Sequence, residues 1–238
     1  MEITRLDRTD FIENYWDYQA GEHVTIIGPT GSGKTWLGYE LLGATATKDL
    51  PAVVLVMKPR DATVQKFSEA YKYKTIKNWP PIRHPFSGRP AGYVLWPHTT
   101  FDPDIDDYQH WEIFRRALLD CYKKGDYIIF ADETYSLAEE LGLKKELITL
   151  WTKARSMGTG LWSATQRPTF VPLWAYSGAE HLFLAKDPDK KARDRFADIG
   201  GIDPELVKTT VMKLAKHEWL YIRRSGPNGE PEFAIIGP

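Results

Sequence analysis

The chain has 238 residues, 42% of them hydrophobic, which is the size of one large α/β domain with a real core to bury. Its 31 Lys and Arg nearly cancel its 32 Asp and Glu, so a formal charge of −1 exerts no global pull toward nucleic acid or anionic lipid, and any such attraction must be local. A single cysteine, Cys121, rules out an internal disulfide and points to a reducing, cytoplasmic setting; the longest apolar runs, PAVVLVM and YIIF, fall far short of the roughly 20 residues that cross a bilayer, and MEITRLDRTD has no signal-peptide core.

Strand-like and helix-like runs then alternate, the pattern of a parallel sheet covered by helices. HVTIIG predicts a first strand, and a helix follows from Gly33 or Lys34 through WLGYELLG. PAVVLVMK reads as a buried strand and Asp61 to Tyr71 as a helix, with GYVLW a weaker third strand. Asp102 and Pro103 have the residue types of an N-cap and first helical position. Ile105, Tyr108, Trp111, Phe114, Leu118 and Cys121 recur at helical spacing until Gly125 stops them. DYIIFADE and GLWSATQ predict two more strands, separated by helical sequence from about Tyr135 to Ser156, and HLFLAK another. Short helices over Lys190 to Ala197 and Pro204 to Leu214 lead to a terminal hairpin in which EWLYIRR and EFAII flank the turn formers SGPNGEP. One domain is expected: a lead-in over 1–21, a core over 22–200, and a C-terminal helix and hairpin over 201–238.

Between the first strand and its helix stands GPTGSGKT, comprising Gly28, Pro29, Thr30, Gly31, Ser32, Gly33, Lys34 and Thr35. Glycines in this pattern let successive backbone N–H groups point at phosphate oxygens, and the helix that follows adds its positive N-terminal dipole. Lys34 then reaches the outer phosphates of ATP, and the Thr35 hydroxyl ligates Mg²⁺. A glycine-rich turn with an incidental lysine is the plain alternative, but it would not need a strand before it and a helix after it.

A second acidic motif says more about the chemistry. In YIIFADE an apolar strand ends in Asp132, suited to the metal side, and Glu133, which can orient and polarise a water. Hydrolysis needs such a carboxylate, whereas a small-molecule kinase must keep water out. GLWSATQ ends in Gln166, whose amide can bond both a γ-phosphate oxygen and the lytic water at the C-terminal edge of the sheet. A solvated strand end is the competing reading for each.

The segment KARSMGTGLWSATQRP, with IIFADETYSL before it and GPTGSGKT before that, resembles the FtsK/HerA-type DNA translocases in motif content and order over roughly Glu22 to Phe196. In size the chain is similar to the viral genome-packaging ATPases of that superfamily. The resemblance implies an α/β P-loop NTPase fold of the ASCE/RecA-like kind, a mostly parallel sheet flanked by helices with a C-terminal β-hairpin. It also implies Lys34 and Thr35 as nucleotide and metal contacts, Asp132 as metal-side carboxylate, Glu133 as catalytic base and Gln166 as γ-phosphate sensor. The superfamily forms rings in which a neighbour's arginine completes each site. Arg155 in KARSMG is the first candidate for that role, with Arg167, Arg193 and Arg195 as substitutes. A pentameric or hexameric ring acting on double-stranded DNA, held by a portal or capsid protein, is the expected assembly, with no membrane segment. The competing function is an ATPase that powers protein or virion assembly or export.

YKYKTIKNWPPIRHPFSGRPA, from Tyr71 to Ala91, has no acid and five cations, Lys72, Lys74, Lys77, Arg83 and Arg89, interleaved with aromatics. Its prolines predict an irregular excursion, and the cations are candidate DNA or subunit contacts unless the segment is a solvated linker whose aromatics pack on the core. Trp36, Trp111, Trp162 and Trp219 are expected in the core, and Tyr15 and Tyr18 to pack, over adenine or over the core. The six histidines lack zinc-ligand spacing.

Overall fold

The computed structural model describes residues 3–82, 88–166, 178–195, 203–226 and 229–238. Their strands are β1 (Thr4–Leu6), β2 (Val24–Ile27), β3 (Ala52–Leu55), β4 (Lys74–Ile76), β5 (Gly92–Leu95), β6 (Ile128–Ala131), β7 (Gly160–Thr165), β8 (His181–Ala185), β9 (Trp219–Arg223) and β10 (Glu232–Ile236). All ten join one sheet in the order β1-β10-β9-β8-β2-β7-β6-β3-β5-β4. Every neighbouring pair is parallel except the two that involve β9, so β9 alone runs against the rest. The expected hairpin is β9 and β10, and it extends the main sheet instead of standing apart from it.

The central strands β2, β3, β5, β6 and β7 are buried along their whole length, which is why β3 and β6 read as unbroken apolar runs and the others as largely apolar ones. Successive residues feed opposite layers: Val53 and Leu55 face the cluster that holds Phe114, Leu118 and Leu147, whereas Ala52 and Val54 face the one that holds Leu37, Leu41 and Phe67. The helices divide accordingly. On the second side lie α2 (Lys34–Thr45) and α3 (Ala62–Ala70), together with Phe11 from a helical turn that follows the three-residue α1 (Arg8–Asp10). On the first lie α4 (Pro103–Lys124), α5 (Lys144–Lys153) and the helix Pro204–Lys213.

Caps fix these helices where the sequence places them. Asp102 accepts from the backbone N–H groups of Asp104 and Ile105 at the start of α4, Pro103 occupies its first turn, and Gly125, at φ 74°, ends it. Asp61 caps α3 in the same way through Thr63 and Val64. Two edge strands, β1 and β4, were not expected. Strand β4 lies inside the segment predicted to be irregular and pairs with β5, so its Ile76 and the flanking Tyr73 and Trp79 turn inward as core residues.

Two tryptophans depart from their expected burial. Trp162 and Trp219 are fully enclosed, but Trp36 is 51% exposed and Trp111 37%. Trp36 stands on the first turn of α2, where its indole N–H donates to Glu40 on the outer helix face. Trp111 shares the outer face of α4 with Ile105 and Tyr108, while Phe114, Leu118 and Cys121 form the inner one, so the run of apolar residues at helical spacing combines two different faces.

Candidate active site

Strand β2 ends at Ile27, and the next eight residues turn over its C-terminal edge into α2. Gly31 and Gly33 adopt φ of 79° and 94°, left-handed values that favour glycine, and Gly33 is the N-cap position of α2. Gly28 is needed for a different reason. A Cβ there would stand 2.6 Å from the Ala185 Cβ and 2.7 Å from the Ser32 Oγ, so the loop could not tuck beside the end of β8. The Lys34 ammonium donates to the Pro29 carbonyl at 3.1 Å across the loop. Burial lowers its pKa, an effect that the carboxylates of Glu133 and Asp132 oppose.

Sheet order brings the two acidic residues and the glutamine to this loop. Strand β7 lies between β2 and β6, so Gln166, just past β7, stands between Thr30 and Glu133, which follow β2 and β6. The Thr30 hydroxyl donates to Gln166 Oε1 at 2.7 Å, and Gln166 Nε2 donates to Glu133 Oε1 at 2.8 Å, forming a continuous chain from the loop to the carboxylate. Beside it the Thr35 hydroxyl lies 2.9 and 3.0 Å from the two Asp132 oxygens. Asp132 is 8% exposed, and burial pushes its carboxyl up to about 6 despite the Thr35 hydroxyl and the Lys58 charge, which favour its ionised form.

Lys34, Thr35, Asp132, Glu133 and Gln166 therefore meet at one end of the sheet. So do two residues that the sequence did not single out. Lys58, three residues past β3, holds its ammonium 4.0 Å from Glu133 Oε1 and 3.7 Å from Asp61 Oδ2. His217 Nδ1 lies 3.2 Å from the Ser32 carbonyl. A lysine at the C-terminal end of a buried strand is a legible signal for Lys58, because ligands in open α/β sheets bind along that edge; nothing local marks His217. Lys58, Glu133, Tyr135, Glu140 and Gln166 line a cavity of about 560 Å³ next to the loop.

Other expected residues lie elsewhere. Arg155 is exposed after α5, before β7 begins, and therefore stands at the opposite end of the sheet from the loop. Arg193 lies past β8 on the loop's side and donates to the Asp187 carbonyl at 2.9 Å. Arg83 and Arg167 fall outside the described residues. Lys72, Lys74, Lys77 and Arg89 are all exposed but do not form one patch. Lys77 lies 5.5 Å from the Trp96 ring, beyond the C-terminal end of β5, whereas Arg89 lies 4.7 Å from the Tyr127 ring, before β6 begins. Tyr15 and Tyr18 pack against Tyr221, Trp162 and His181 in the core.

The site fits a small, hard cation. A hydroxyl and a buried carboxylate offer oxygen donors side by side; no cluster of three or more His, Cys, Asp or Glu residues that could hold a metal ion occurs among the described residues. Nor is any helix among them long and apolar enough to cross a membrane.

No family model matches the sequence. A stretch of 88 residues, 37% of this chain, is 33% identical to the molybdate/tungstate import ATP-binding protein WtpC of Pyrococcus horikoshii and spans only 21% of that protein. Among solved structures, B204, the DNA-packaging ATPase of Sulfolobus turreted icosahedral virus, matches 91% of this chain and 98% of its own at a TM-score of 0.61 and 17% identity. The pCW3 conjugation coupling protein TcpA matches 98% of this chain and 69% of its own, with TM-score 0.52 and 15% identity. The cytoplasmic domain of the type VII secretion ATPase EccC of Thermomonospora curvata matches 94% of this chain and 26% of its own, with TM-score 0.52 and 17% identity. The chain thus has the mostly parallel α/β fold of the P-loop NTPases, and the structures it resembles are the packaging and FtsK/HerA-type ATPases that its three motifs foretell.

Proposed function

We propose that the chain is an ATP-driven translocase of double-stranded DNA, of the kind that packages a viral or mobile-element genome. The observation that carries the hydrolytic part of this reading is the hydrogen-bonded chain from Thr30 through Gln166 to Glu133, alongside the Thr35–Asp132 pair, and the likeness to B204 over 91% of the chain supports the DNA part. It links the phosphate loop directly to a carboxylate able to direct water, an arrangement suited to hydrolysis and wasteful for phosphate transfer to another substrate.

In this mechanism the loop N–H groups and Lys34 bind the outer phosphates of ATP. Thr35 and Asp132 would hold Mg²⁺, which would supply charge neutralisation on the phosphates. Glu133 accepts the proton of the attacking water, and Gln166 reports the state of the loop to it. Arg155 lies far from its own loop, and in this reading it serves the site of the next subunit in a pentameric or hexameric ring. The exposed Lys72, Lys74, Lys77 and Arg89 contact DNA or that neighbour, and a portal or capsid protein positions the ring in the cytoplasm. The whole chain acts as a single motor domain.

The test is the ATPase rate with and without linear double-stranded DNA, with Lys34→Ala and Glu133→Gln as inactive controls. Several-fold stimulation by DNA supports the reading. Hydrolysis indifferent to DNA but raised by a protein partner would replace it with an export or assembly ATPase, a reading favoured by the likeness to EccC.

A further inference from the structure

Helix α4 carries a second apolar face that the sheet does not use. Its inner face buries Phe114, Leu118 and Cys121, while Ile105, Tyr108, Trp111 and Leu119 on the outer face are 46, 66, 37 and 36% exposed. An open groove of about 470 Å³ runs along the Trp111 to Lys123 part of this face. Four large apolar side chains on the solvent side of one helix, only Trp111 of them covered in part, by the Arg115 guanidinium, make an apolar patch that suits a partner better than water.

The charges on the same face identify what covers it. They are acidic toward the helix N-terminus, at Asp104, basic toward the C-terminus, at Lys123, and mixed between them, where Glu112, Arg115, Arg116 and Asp120 are already paired within the chain. Laid against a second copy of itself in the opposite direction, the face matches itself. Asp104 meets Lys123, Tyr108 meets Leu119 and Glu112 meets Arg115, and each of these pairs straddles the same point between Ile113 and Phe114. A two-fold axis through that point makes every pair occur twice, as an isologous contact requires. Asp104 and Lys123 form no ion pair among the described residues, whereas Glu112 and Arg115 each have one within the chain, to Arg116 and Glu146. At about 1.5 Å per residue the helix is roughly 33 Å long, and one helix pair of that length makes a small interface, so the pairing is reversible. The acidic end of the face argues against nucleic acid or an anionic membrane as its occupant.

We propose that α4 docks antiparallel on α4 of a second copy of this chain, giving a two-fold dimer separate from any head-to-tail ring and independent of nucleotide. The test uses the full chain carrying Tyr108→Cys and Leu119→Cys together with a short bis-maleimide; native Cys121 is buried and does not compete. These two positions lie too far apart on one helix to join each other, and the two-fold crossing links Tyr108→Cys of each chain to Leu119→Cys of the other. A covalent dimer that grows no further is expected. In the same background Asp104→Lys or Lys123→Asp alone should cut the cross-linking yield at limiting protein at least about fivefold, and the two together should restore it. The restoring swap guards against a variant that merely misfolds. Chains that stay uncross-linked, a ladder of higher species from head-to-tail contact, or a yield indifferent to the charges would each overturn the proposal.

Discussion

The chain Thr30–Gln166–Glu133 can be tested by cutting it at its middle. Gln166→Ala removes a 2.8 Å bond from an amide to a carboxylate and a 2.7 Å bond from the Thr30 hydroxyl. A hydrogen bond to a charged group contributes roughly 1.5–3 kcal/mol, and about 1.4 kcal/mol is a factor of ten in rate, so kcat should fall roughly 10- to 100-fold. Thr30→Val keeps the shape of the side chain and removes only the neutral bond, so its cost is about 0.5–1.5 kcal/mol, or roughly 2- to 10-fold. The informative measurement is a double-mutant cycle on steady-state kcat. Glu133→Gln alone should cost roughly 10²- to 10⁴-fold as the loss of a general base, and adding Gln166→Ala should then cost little, because Gln166 acts through the carboxylate that is already gone. If the two losses multiply, or if Gln166→Ala leaves kcat within twofold, the link from loop to base has no part in hydrolysis.

Lys58→Ala should lower kcat only about two- to fivefold, because the lysine side chain is half exposed and its 4.0 Å approach to Glu133 is well screened; Lys58→Arg should restore most of the loss. Gly28→Ala should leave the fold intact by circular dichroism but weaken ATP binding in a titration more than about tenfold, since the new methyl group collides with Ala185 and Ser32. His23 is pushed down to about 4, first by burial and also by the Arg155 charge, and its unprotonated Nδ1 accepts the Leu161 N–H at 3.0 Å. The unfolded chain therefore takes up this proton first as pH falls. Stability is fully present above about pH 6.5 and is lost progressively down to about pH 4, by about 2 kcal/mol at pH 5. Denaturant midpoints at pH 7 and pH 5 measure it, and His23→Gln should flatten that part of the profile.

The glycine-rich loop and the place of Asp132 were readable because each is a short local pattern: glycines at left-handed φ, a helix start, a carboxylate at a strand end. The central strands were readable because burial on both sides leaves an unbroken apolar run. Strands β1 and β4 were not, being three residues long, at the sheet edges, and only partly apolar. The exposure of Trp36 and Trp111 was missed for a different reason, since an apolar residue at helical spacing shows that a face exists without saying which neighbour covers it.

Sheet order marks the boundary between what local pattern reveals and what it hides. Gln166 could be expected at the edge of the sheet from its strand alone, but its contact with both Thr30 and Glu133 exists only because β7 lies between β2 and β6. Lys58 reaches the same carboxylate because β3 flanks β6 on the other side. Glu133 is thus approached from both neighbouring strands, by an amide tied to the phosphate loop and by an ammonium tied to Asp61. In the proposed mechanism, a change in the loop at Thr30 reaches Glu133 through one side chain, Gln166. Lys58 also lies 3.7 Å from Asp61, which caps α3, so Glu133 has a half-exposed cation on one side and an amide bonded to the glycine-rich loop on the other.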